Sequence, residues 1–116
     1  MKSFKELGLD EKIIKGLNEQ GITNPTEIQS LVIPEALNNK DVIGESFTGS
    51  GKTLSFVVPL FSKIDTTKRE MQALILAPTH ELVMQIDAQV KPVSYTHLDV
   101  YKRQCLLKSH SNFPIL

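Results

Sequence analysis

The chain has 116 residues, 41% apolar and 22% charged, enough for one small domain with a packed core and too apolar for wholesale disorder. Its 13 Lys plus Arg balance 13 Asp plus Glu, so the bulk field draws no polyanion and any nucleic-acid contact must be local. The lone cysteine, Cys105, excludes an internal disulfide and fits a reducing, cytoplasmic compartment. No apolar run nears the ~18 residues that span a bilayer, and "MKSFKELGLDEK" lacks the apolar core of a signal peptide. No membrane partner is expected.

Asp10 is placed to cap a helix over 11–20, with Ile13, Ile14 and Leu17 on one face and Gly21 at its stop. A second helix is expected from "NPTE", with Asn24 as N-cap, Pro25 at the first helical position and Glu27 closing a capping box. Pro34 inside it predicts a kink or break. "DVIGES", 41–46, reads as a strand. A glycine-rich loop and a helix over 51–64 follow, the latter with Leu54, Val57, Val58, Phe61 and Ile64 at helical spacing. "ALILAP", 73–78, reads as a parallel strand buried on both faces, and a last helix is expected from Thr79 to about Lys91. Residues 41–78 thus make one βαβ unit with a right-handed crossover. The expected fold class is α/β, with a partial parallel sheet and flanking helices.

The loop "SFTGSGKT", 46–53, matches the general phosphate-loop pattern G-x-x-x-x-G-K-[ST] except that Ser46 stands at the first glycine. Gly49 and Gly51 permit backbone angles that aim successive N–H groups at phosphate oxygens, helped by the helix dipole. Lys52 is expected to reach the β- and γ-phosphates, and the Thr53 hydroxyl to ligate Mg²⁺. An ordinary Gly/Ser turn would not need Lys-Thr at this point.

"FKELGL", "GITNPTEIQ", "SFTGSGKT" and "APTHEL" occur in that order, and together they resemble the DEAD-box family of ATP-dependent RNA helicases, from about Phe4 to Val90. The resemblance implies the N-terminal part of the first RecA-like P-loop NTPase domain, with ATP and Mg²⁺ as cofactors and RNA as partner. It identifies a Q motif in which Gln29 would hydrogen-bond the adenine edge, Phe4 would lie on or beside the base, and Pro25 and Thr26 would shape the pocket. A Thr26–Gln29 capping box is the plain alternative for Gln29, set aside because Asn24 and Glu27 make the better helix start. For Phe4 the alternative is a core aromatic. In the phosphate loop the resemblance covers Thr48, Gly49, Ser50, Gly51, Lys52 and Thr53; Lys52 and Thr53 carry the catalytic expectation. Ser46 is then a small-residue replacement for the family's usual alanine.

"PTHEL" is similar to the family's motif Ia, which implies that Pro78, Thr79, His80 and Glu81 meet an RNA phosphate at a helix N-terminus without reading a base. His80 stands where the family usually has arginine. An ordinary histidine is mostly uncharged at neutral pH, so the RNA contact should be weaker and more pH-dependent. Helix capping alone would also account for Thr79 and Glu81.

Phosphoryl transfer needs a carboxylate on Mg²⁺ and a group that orients the attacking water. The family's "DEAD" tetrapeptide and "SAT" motif are not among these residues, nor is a second lobe. Two functions stay open: a fragment of a hydrolysing helicase, or a module that binds ATP and RNA without turnover. A small kinase is a weaker reading, opposed by the Q motif. Residues 92–104, "PVSYTHLDVYKRQ", resemble a tract found in many unrelated sequences, of the kind left by translated sequencing adapters. The expected organisation is a domain over 1–91 and a non-native or disordered tail over 92–116. His97, Cys105 and His110 lack metal-ligand spacing.

Overall fold

The computed structural model describes residues 2–97 together with 107–108 and 114–115. Its elements run α1 (Glu11–Glu19), α2 (Glu27–Leu37), α3 (Lys52–Lys63), α4 (His80–His97), β1 (Leu107–Lys108) and β2 (Pro114–Ile115). Before α1, a turn is pinned by the Glu6 carboxylate, which accepts from the Ser3 backbone N–H at 2.6 Å and from the Ser3 hydroxyl at 2.9 Å. The backbone bond from Ser3 is the main reason that the Glu6 carboxyl titrates below its ordinary value, with the Ser3 hydroxyl next. The pinned turn folds Phe4, Leu7 and Leu9 inward, each nearly inaccessible.

Asp10 is extended and accepts from the Lys12 N–H at 3.3 Å, so α1 starts where the sequence predicts. It stops before Gly21, whose φ of 75° only glycine adopts without strain. Ile13 and Leu17 are fully buried on one face of α1. That face meets α4, while α3 packs against both α2 and α4. One core joins Ile13 and Leu17 of α1, Ile33 of α2, Val57, Val58 and Phe61 of α3, and Ile86, Val90 and Val93 of α4, together with Phe4, Leu7 and Leu9. Each such aliphatic chain removed from water contributes roughly 1.5–3 kcal/mol.

Four expectations need correction. First, α2 begins after Thr26 rather than at Asn24. The Thr26 N–H donates to Gln29 Oε1 at 3.0 Å, and the Gln29 N–H donates to Thr26 Oγ1 at 3.5 Å. The capping box is therefore Thr26–Gln29, not the pairing through Glu27. Second, Pro34 does not break the helix, which continues to Leu37; packing of Ile28, Val32 and Ile33 into the interior outweighs one missing backbone bond.

Third, 41–46 and 73–78 form no parallel sheet. Neither segment pairs with a strand among the described residues, where the only ladder is the antiparallel β1–β2 pair, Leu107 opposite Ile115 and Lys108 opposite Pro114. The physical reason is cover. Ile75 and Ala77 lie against the core, yet Leu74 and Leu76 between them are 64% and 78% exposed. Gly44 lies so close to α2 that a Cβ there would stand 3.3 Å from Val32, yet Ile43 beside it is fully exposed. The run 73–78 is apolar enough for two covered faces and has one, while Val42 and Ile43 of 41–46 are both exposed. Fourth, α4 runs past Lys91 to His97, and Val93 is 1% exposed within the core. The rest of the expected tail, including Cys105 and His110, lies outside the described residues, β1 and β2 apart.

At the far end of α3, the Lys63 ammonium donates to the Ala36 carbonyl and, at 2.7 Å, to Asn39 Oδ1. The Ala36 carbonyl lies in the last turn of α2 and also accepts from the Asn39 N–H at 3.2 Å. Among the described residues, no helix is long and apolar enough to cross a membrane.

Candidate functional site

The phosphate loop joins the extended segment 41–46 to α3. Gly49 and Gly51 have φ of 85° and 89°, the left-handed region that the sequence reading required. Gly51 is also the N-cap of α3, and no side chain caps that end. The other three helices differ: Asp10 and Thr26 cap α1 and α2, and Thr79 Oγ1 accepts from the Leu82 N–H at 3.2 Å at the start of α4. The first turn of α3 thus keeps its N–H groups and the positive end of its dipole for another acceptor.

Lys52 arches back over the loop, its ammonium donating to the carbonyl of Ser46 and, at 3.3 Å, to that of Phe47. These bonds hold the ammonium against the backbone of the loop. The Ser50 N–H donates to the Phe47 carbonyl at 3.3 Å. Thr48 and Gly49 are exposed, Thr53 is half-buried, and Ser50 is 7% exposed. The Ser50 hydroxyl is buried without any hydrogen-bond partner.

Gln29 ties this loop to α2. Its Oε1 accepts from Thr26 while its Nε2 donates to the Gly51 carbonyl at 3.1 Å, and the side chain is 2% exposed. A Cβ on Gly51 would stand 2.4 Å from that Nε2 and 3.1 Å from Thr26 Oγ1. The structure therefore brings Thr26 and Gln29 against the phosphate loop, which sequence spacing could not show. Pro25 is buried beside them in sequence. Phe4, 3% exposed, belongs to the core cluster, the plainer of its two readings.

Pro78, Thr79, His80 and Glu81 are all exposed where α4 begins, and Thr79 acts there as a cap. Among the described residues, no three His, Cys, Asp or Glu side chains gather as a metal-binding group. A shallow depression lined by Lys5, Glu11, Ile14, Lys15, Asn18 and Glu19 shares no residue with the loop.

The sequence pattern of the DEAD/DEAH box helicase family matches residues 26–112. The chain is 46% identical over 95 residues to the ATP-dependent RNA helicase CshA of Listeria monocytogenes, covering 82% of this chain and 18% of that protein. It is 45% identical over 112 residues to the ATP-dependent rRNA helicase RRP3 of Encephalitozoon cuniculi, covering 97% and 27%. Among solved structures, a DEAD box protein from Methanococcus jannaschii superposes with a TM-score of 0.73 at 36% identity, over 78% of this chain and 25% of that one. S. cerevisiae Dbp5 bound to RNA and ADP BeF3 superposes with a TM-score of 0.78 at 32% identity, over 83% and 25%. The chain thus spans under a third of the length of these relatives. On a match that covers most of its residues, the chain belongs to the DEAD/DEAH box helicase family.

Proposed function

We propose that the chain is the nucleotide-binding start of an ATP-dependent RNA helicase and works in the cytoplasm. The observation that carries this is the uncapped N-terminus of α3, joined to a glycine turn under the Lys52 ammonium. That arrangement suits a phosphate chain, and the buried, unpartnered Ser50 hydroxyl marks the same loop as built for more than itself. The N–H groups of Gly51, Lys52 and Thr53 would hold phosphate oxygens, with Thr48 and Gly49 shaping the turn. Lys52 would neutralise charge, and the Thr53 hydroxyl would offer one ligand to Mg²⁺. Bound Mg²⁺·ATP supplies the hydrolysable phosphoanhydride. The relatives' names favour the hydrolysing lineage over a binding module without turnover.

Gln29 is the candidate reader of adenine, because its amide offers one donor and one acceptor edge. Both ends are held, by Gly51 and Thr26, so meeting a base means exchanging those partners. Pro25 and Thr26 would wall the base site, and Phe4 would support it from the core. Pro78, Thr79, His80 and Glu81 would meet the RNA backbone, as their exposure at the start of α4 permits.

The deciding experiment is protection from proteolysis by ATP and by GTP. Protection by ATP alone is expected, and protection by GTP alone would overturn the reading. For the RNA contact, His80→Arg should tighten binding of single-stranded RNA by roughly threefold to tenfold at neutral pH, because arginine carries a permanent charge. Equal affinities would remove His80 from the RNA face.

A further inference from the structure

The Ser50 hydroxyl is a feature of the loop that the loop's own hydrogen bonds do not explain. The side chain is 93% buried by its 7% exposure, and its oxygen is almost wholly inaccessible and bonded to nothing. Buried hydroxyls without partners are rare because desolvation is then uncompensated. Alanine or glycine would fill the position at no such cost. Several other polar groups of the loop already have partners within the protein. The Ser50 N–H is committed to the Phe47 carbonyl at 3.3 Å, Lys52 holds Ser46 and Phe47, and Gln29 holds Gly51. A phosphate that draws off both the Ser50 N–H and the Lys52 ammonium breaks both bonds to Phe47 and leaves that carbonyl without a donor. A serine hydroxyl can reach a carbonyl three residues back along its own chain.

We propose that Ser50 is a positioning residue of the nucleotide site: its hydroxyl, orphaned in the free loop, donates to the Phe47 carbonyl once the Ser50 N–H turns to a phosphate oxygen. The free loop is thereby destabilised and the phosphate-bound loop completed, so one side chain moves the loop toward its ligand-competent form. This inference rests on the phosphate-loop reading given above.

The test uses the full 116-residue chain as wild type, Ser50→Ala and Lys52→Ala. ATP affinity is measured by equilibrium dialysis, and amide exchange over 46–53 is followed without nucleotide. Ser50→Ala should slow exchange in the free loop and weaken ATP binding by about threefold or more, because the free loop loses its flaw and the bound loop its completing bond. Lys52→Ala should speed exchange and lose ATP. If Ser50→Ala changes neither quantity while Lys52→Ala still loses ATP, the inference falls and the phosphate loop stands. If wild type and Lys52→Ala bind ATP equally, the phosphate-loop reading falls and the inference with it. Should Ser50→Ala not fold, exchange of the Ser50 amide in the wild-type chain decides instead. An altered rate with ATP supports the inference, and an unaltered rate in ATP-bound chain overturns it.

Discussion

The helices and the two extended segments of this chain all carry large apolar side chains, and these end in opposite conditions. Leu17 and Ile33 are fully buried, whereas Ile43 is fully exposed and Leu76 is 78% exposed. The difference lies in where each kind of element finds its hydrogen bonds. A helix satisfies its interior backbone from within and needs a neighbour on one stripe only. An extended segment needs neighbours at its edges for the backbone and on both faces for an apolar run. Here α1 to α4 supply one another with cover, while 41–46 and 73–78 receive it from one side.

The sharpest way to break this comparison is to remove matched side chains from the two regions. Leu17→Ala should cost about 3 kcal/mol, because it empties a site at the centre of the α1–α4 contact. Gly51→Ala comes next, at about 2 kcal/mol, since the residue adopts a left-handed φ and its Cβ would press on Gln29. It tests whether the loop is as firmly seated as the helices that flank it. Leu76→Lys should change stability by no more than about 0.5 kcal/mol, while reducing self-association of the chain at the same concentration. Denaturant titration ranks the three, and light scattering reads the last. A Leu76→Lys cost equal to that of Leu17→Ala would show that 73–78 is covered in solution.

Much of the helical layer is legible in the sequence because its signals are local. Asp10 and Gly21 bracket α1, and the glycines of the phosphate loop announce their positive φ. The start of α2 departs from its local signals. Asn24, Pro25 and Glu27 form a good local start, yet Thr26 takes the cap because its partner Gln29 is also held from 22 residues away by the Gly51 carbonyl. No local rule contains that bond. The burial of Phe4 and Val93 likewise depends on elements distant in sequence. The expected sheet failed on cover: a run such as "ALILAP" states that it can be buried on two faces, not that two faces are available.

The bond between Lys63 and the end of α2 has a mechanical consequence. The start of α3 is fastened to α2 through Gln29 and Gly51, and its end through Lys63, Ala36 and Asn39. Twelve residues separate the fastenings, a span of about 18 Å at helical rise. A strut riveted at both ends cannot pivot about either one. Displacement at the glycine turn is then resisted at both ends of α3, by the buried Gln29 amide at one and the exposed Lys63 ammonium at the other.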